Sequence, residues 1–133
     1  MPNSPIKNFT DLEVWQLAHK FKLNVYKLTK YFPEDEKYVS IPNMKRAGKS
    51  ISANIAEGFG RYHYLENVQC CRRARGELDE TIDHLISARD LKHASMEECN
   101  KLIKEGVRIR QVLNGYIRSI LKQKEIEESI VVK

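Results

Sequence analysis

Residues 95–124 read SMEECNKLIKEGVRIRQVLNGYIRSILKQK, and this stretch decides the fold. Placed at 100° per residue, Cys99, Leu102, Ile103, Gly106, Ile109, Leu113, Ile117 and Ile120 fall on one side of a helix. A half-buried strand would alternate apolar and polar residues, and this stretch does not. Ser95-Met96-Glu97-Glu98 supplies a capping box at its start, the Ser95 hydroxyl accepting from an orphan first-turn N–H. Beyond Lys124 the apolar residues Ile126 and Ile130 leave the stripe, so the helix is expected to end near Lys124 and the tail 125–133 to fray.

Working back toward the N-terminus, the same period recurs. A third helix is expected from about Leu65 to Leu91, with Val68, Cys71, Ala74, Leu78, Ile82 and Leu85 on one face. A second runs from a Ser40 cap to about Ala56, gathering Ile41, Met44, Ala47, Ile51 and Ile55, with Gly58 and Gly60 ending it. The first opens on the capping box Thr10-Asp11-Leu12-Glu13 and stops at Phe32, before Pro33. Short connections between long helices favour antiparallel neighbours. The expectation is therefore an all-α, antiparallel up-down-up-down four-helix bundle, one domain over residues 1–133, with 1–8 and 125–133 as flexible tails. Only 6 Gly and 4 Pro leave few turns for a β-sandwich, and 41% hydrophobic with 31% charged residues is ordinary globular composition.

The first helix carries two apolar faces. Val14, Leu17, Ala18, Phe21, Val25, Leu28 and Phe32 suit the bundle core. Leu12, Trp15, His19, Leu23 and Tyr26 lie nearly opposite, and Glu13, Gln16, Lys20, Asn24 and Lys27 fill the wedge between. A second apolar face is either covered by a neighbouring subunit or carries Trp15 flat on the monomer surface.

Several stretches together resemble a known family. Asp11-Leu12-Glu13-Val14-Trp15, Phe32-Pro33, Ser50-Ile51-Ser52-Ala53-Asn54-Ile55-Ala56-Glu57-Gly58-Phe59-Gly60-Arg61, Ala74-Arg75-Gly76-Glu77-Leu78, Ala88-Arg89-Asp90-Leu91 and Leu113-Asn114-Gly115 look like the 23S rRNA intervening-sequence protein family, over nearly everything from Phe9 to about Leu121. The Asn54–Arg61 segment is the most specific part. The resemblance implies a bacterial, non-catalytic up-down bundle that assembles as a ring-like homopentamer. The chain is also similar to the accessory variability proteins of diversity-generating retroelements, which implies a basic barrel able to meet nucleic acid and a nucleic-acid-binding protein. Ser52 stands where the family often has proline, and His93 where a glycine often closes the third helix.

Motifs for catalysis are weak. Gly48-Lys49-Ser50 ends like a P-loop, but Asn43 stands where glycine is required and no strand precedes it. Gly58-Phe59-Gly60 has His63 where a dinucleotide fingerprint needs glycine. No Glu-x-x-His pair exists for a di-iron bundle site, and His19, His63, His84 and His93 are scattered. The expectation is no catalytic residue, no metal, no cofactor and no small-molecule substrate. Cys70, Cys71 and Cys99 are odd in number and form no C-x-x-C, and Cys71 and Cys99 fall on apolar stripes as inert thiols. With no apolar run of membrane length and no apolar signal-like core at the N-terminus, a cytoplasmic protein is expected.

Two polar features stand out. Arg75 falls on the apolar stripe of the third helix, while Asn54 and Glu57 edge the core face of the second, so a structural Glu57–Arg75 ion pair is expected. The net charge is +5, and Lys101, Lys104, Gln111, Gly115, Lys122, with Arg108 and Arg118, trace one helical line holding five cations and no acid. Lys45, Arg46 and Lys49 add cations on the second helix, and Arg61 follows beside Tyr62 and Tyr64. This pattern makes a non-catalytic oligomer that binds RNA or a nucleic-acid–protein complex the first expectation. A protein–protein scaffold whose charge only keeps it soluble is the alternative.

Overall fold

A computed structural model describes residues 6–132, and among these it holds helices and no strand. Four α-helices follow one another: α1 (Glu13–Thr29), α2 (Ser40–Gly60), α3 (Tyr64–Asp90) and α4 (Met96–Val132), with short 3₁₀ turns at Phe9–Asp11 and Glu34–Glu36. Each helix packs against the next, and α4 returns against α1, so α2 and α4 stand on opposite corners. Cross-helix pairs set the directions. Lys22 meets Ser52 while Tyr26 meets Lys45; Glu57 meets Arg73 while Arg46 meets Glu80; Asp79 meets Arg110 while Arg89 meets Asn100. Every neighbour is antiparallel, as expected from the short connections.

The core holds most of the stripes read from the sequence, with Leu17, Ile41 and Ile103 only partly buried and with Leu12, Cys70, Thr81 and Ala88 added to it. Phe21, Val25, Met44, Ile51, Ile55, Val68, Leu78, Leu85 and Leu113 are fully buried. Two glycines decide how closely the helices approach. A Cβ on Gly58 would lie 2.6 Å from Asn67 Oδ1 and 2.8 Å from Cys70 Cβ, and one on Gly106 would lie 2.9 Å from Ile82 Cγ1. Gly58 was expected to end α2. It sits instead inside the last turns of a helix running to Gly60, where it lets α2 and α3 touch.

Other boundaries also move. Asn8, not Thr10, caps the N-terminal turn, its side chain accepting from Thr10 N–H while the Asp11 carboxylate accepts from Asn8 N–H. Leu12 is then the extended residue before α1, with φ −75° and ψ 126°. The turn from α3 to α4 places Lys92 in the left-handed region at φ 62°, and His93 N–H closes on the Ala88 carbonyl at 2.8 Å. That is a Schellman stop formed without glycine. The expected Ser95 cap is present, its hydroxyl accepting from Glu98 N–H at 3.1 Å.

The largest correction is α4. It does not end near Lys124 but stays helical to Val132, about 55 Å at 1.5 Å per residue. Residues 125–130 are exposed and add no core face, but a Lys124–Glu128 pair one turn apart and the Tyr64 hydroxyl donating to Glu127 hold the extension. Of the expected flexible tails, residues 1–5 and 133 lie outside the described residues.

Candidate nucleic-acid interface

The cationic line of α4 exists as a surface because the apolar stripe of the same helix is buried. Cys99, Leu102, Ile109, Leu113, Ile117 and Ile120 face the core, which turns Lys101, Lys104, Arg108, Arg118 and Lys122 to the opposite, exposed side. Among the described residues, none of these five lies within 4.0 Å of a carboxylate. Two acids share their direction: exposed Glu97 continues the line one turn before Lys101, and exposed Glu125 continues it one turn past Lys122.

The cations of α2 are differently placed. Arg46 reaches Glu77 at 3.3 Å and also pairs with Glu80; Arg61 is 3.5 Å from Glu57 and 3.9 Å from Glu66. Their charge is answered locally. The Lys45 ammonium sits 5.1 Å from the Tyr26 ring centroid, and Lys49 is exposed. Since α2 and α4 occupy opposite corners, the nine cations picked from the sequence do not form one face. Tyr62 and Tyr64 lie near the far end of α4, in a groove shared with Glu127 and Glu128, and the Tyr64 hydroxyl donates to Glu127. Those carboxylates repel phosphate.

The expected Glu57–Arg75 pair does not form. Glu57 is exposed and turned to Arg61 and Arg73, the latter 3.6 Å away, while Arg75 donates to Asn114 Oδ1 at 2.8 Å. Asn54 joins the Arg73 side, its Oδ1 lying 3.4 Å from Arg73 Nε. The reason is helical geometry. Residues two apart on α3 point about 200° away from each other, so Arg73 faces α2 and Arg75 faces α4.

The second face of α1 is largely covered by its own chain. Leu12, outside the helix proper, is buried with the core. The Phe9 ring meets Trp15 edge-on at 5.1 Å, and Trp15 stacks on His19 at 4.8 Å with 9° between planes. Leu23, 47% exposed, is the apolar residue left open there.

Chemistry elsewhere is sparse. No group of three or more His, Cys, Asp or Glu among the described residues is arranged to hold a metal ion. All three cysteines are free and buried. Burial pushes the Cys71 thiol up to about 12 and raises that of Cys99 as well, which disfavours the thiolate that a nucleophile needs. No helix among the described residues is long and apolar enough to cross a membrane.

Fold and surface together define an antiparallel helical bundle whose outward feature is a line of uncompensated cations on its longest helix. The model of the family described as 23S rRNA-intervening sequence protein matches residues 10–115, and the chain belongs to that family. A solved structure from Bacteroides thetaiotaomicron, a protein with unknown function from the S23 ribosomal protein family, shares the fold with a TM-score of 0.73. The two are 22% identical, the match covering 78% of this chain and 97% of that one. A search of curated proteins found no match.

Proposed function

We propose that this protein is a non-catalytic, oligomeric member of its family that binds RNA, alone or in a nucleic-acid–protein complex, through the exposed face of α4. The observation that carries the reading is the line Lys101, Lys104, Arg108, Arg118 and Lys122, solvent-exposed and without carboxylate partners among the described residues. It spans about 32 Å of helix. Such a row attracts a polyanion and reads phosphates, not base edges, so binding is weakly selective in sequence and steep in salt. A ring of five subunits, which the family resemblance implies, would repeat the row around the assembly. Exposed Leu23 on α1 is the contact we assign to the neighbouring subunit. The bacterial cytoplasm suits both RNA and three unpaired cysteines.

The test is fluorescence anisotropy with labelled RNA in a salt titration starting near 50 mM. Wild type should bind with log Kobs falling linearly in log salt. Changing Lys101, Lys104 and Arg108 together to Glu should abolish binding at that salt and leave the melting temperature within a few degrees of wild type. If wild-type protein ignores RNA at low salt, the face is only solvated and the scaffold reading replaces this one. For assembly, Leu23→Glu should shift the sedimenting species to monomer, and a wild type that sediments as monomer at micromolar concentration refutes the ring.

A further inference from the structure

The seam between α1 and α4 is open along its outer side, and the wedge of polar residues on α1 forms one of its walls. Leu17, Lys20, Asn24, Lys27 and Tyr31 recur at alternating steps of three and four, one line that faces α4. Because the helices are antiparallel, Lys20 stands across the groove from Arg108, and Lys27 across from Lys101. The two opposed cation pairs are about 10.5 Å apart along the helices, seven residues on each side. Glu98 and Glu105 are the acids on the same walls, Glu98 beside Tyr31 and Glu105 accepting from the Asn24 amide at 3.4 Å, which leaves four cations against two carboxylates. At the end of the groove Tyr31 is 75% exposed, and its side chain borders three adjoining concavities.

We infer that this groove is a track for single-stranded RNA, with the backbone passing between the Lys20/Arg108 and Lys27/Lys101 pairs and a base stacked on Tyr31. The inference rests on the RNA-binding reading above and adds the form of RNA and a base-contacting residue. Three features favour an unpaired strand. The seam between two packed helices is a narrow surface furrow, which one flexible strand can follow, whereas a rigid duplex could only lie across the outside. Cations on both rims answer phosphates from two sides, which a flat face does not. An aromatic ring at the end of a basic groove is the usual stacking platform for unpaired bases, and bases within a duplex are not free to use it.

The experiment compares a labelled mixed-sequence strand of about 12 nucleotides with the same strand annealed to its complement, at low salt and across a salt series. Wild type should prefer the single strand. Tyr31→Leu keeps apolar bulk and removes the ring; it should weaken single-strand binding about tenfold, leave the salt slope unchanged and leave duplex binding unchanged. Tyr31→Trp should restore the affinity. Lys27→Gln should lower the salt slope by about 0.7, the signature of one lost phosphate contact on a single strand. If RNA binds but the duplex is preferred, or Tyr31→Leu is neutral, the track is wrong while the α4 face stands. If neither RNA form binds, both readings fall.

Discussion

Arg46 and Lys101 are both exposed cations on long amphipathic helices, yet their surroundings differ in kind. Arg46 on α2 lies against Glu77 and Glu80 of α3, and the same side carries Glu57 with Arg61 and Arg73. Lys101 on α4 faces Lys27 of α1 across an open groove. No ion pair among the described residues involves α1. The α2–α3 side is thus drawn together by a glycine contact and neutralised by charge pairing, while the α1–α4 side is looser and carries uncompensated positive charge. Half-exposed pairs such as Arg46–Glu77 contribute only about 0–1 kcal/mol each, so their larger consequence is where the field of the molecule remains positive. Packing and electrostatics mark the same division.

The largest expected effect probes the buried interior of α3. Burial holds the Cys71 thiol neutral up to about 12, whereas in the unfolded chain it ionises near 9.0. Its stabilisation is complete below about pH 9 and is lost as pH rises toward 12, because the unfolded state binds fewer protons in that window. Urea midpoints should therefore fall by the equivalent of about 2–3 kcal/mol between pH ~8 and ~11. Cys71→Ala should start from a lower stability but lose less over the same range. An identical pH profile in the variant would show that the thiol is not held as the structure places it. Burial of Tyr116 acts with the same sign in stronger alkali and is common to both proteins.

Next comes a glycine pair that compares two seams of one helix. A Cβ at Gly58 collides with Cys70 on α3 at 2.8 Å, whereas one at Gly48 meets Val25 of α1 at an ordinary 3.6 Å. Gly58→Ala should destabilise by about 1–3 kcal/mol through overpacking. Gly48→Ala should instead gain up to about 1 kcal/mol from helix propensity. Thermal melts read both, and equal shifts would erase the contrast between tight and loose seams. A smaller gain is expected at the α3–α4 turn, where Lys92 holds φ 62°. Lys92→Gly should raise stability by about 1 kcal/mol by removing the Cβ from a left-handed residue. A lower melting temperature would mean that the lysine side chain contributes to the turn.

Much of this was legible in the sequence because it is local. Apolar residues three and four apart, such as Leu78, Ile82 and Leu85, fix a helix and its buried face without knowledge of any partner. What the sequence hid was relational. Arg75 falls on the stripe of one helix and Glu57 at the edge of another, which suggests a pair, but which neighbour an arginine meets depends on its angle about α3, and Asn114 of α4 is the group in reach. Leu12 was placed by a helical wheel although it precedes the helix. The end of α4 was set where its core stripe ends, yet the helix continues past it, held by the Lys124–Glu128 pair and by Tyr64 of α3 against Glu127. For the candidate site, the cation line on α4 was readable, whereas the cancellation of Arg46 and Arg61 required the carboxylates of neighbouring segments to be placed in space.

The smallest effect on stability bears most directly on the division of charge. Arg46→Ala breaks two pairs on a half-exposed surface and should cost no more than about 1 kcal/mol. Lys101→Ala removes a cation with no carboxylate partner among the described residues, so its melting temperature should not move. On RNA the order should reverse. Arg46 already answers Glu77 and Glu80, so its loss should leave affinity and salt slope where they were. Lys101→Ala should flatten the slope by about 0.7, one phosphate contact on a single strand. Each substitution removes one positive charge, so a mechanism driven by net charge alone predicts equal changes for both. Unequal slopes, with the inert change on the paired arginine, would show that pairing across α2 and α3 decides which cations a polyanion meets.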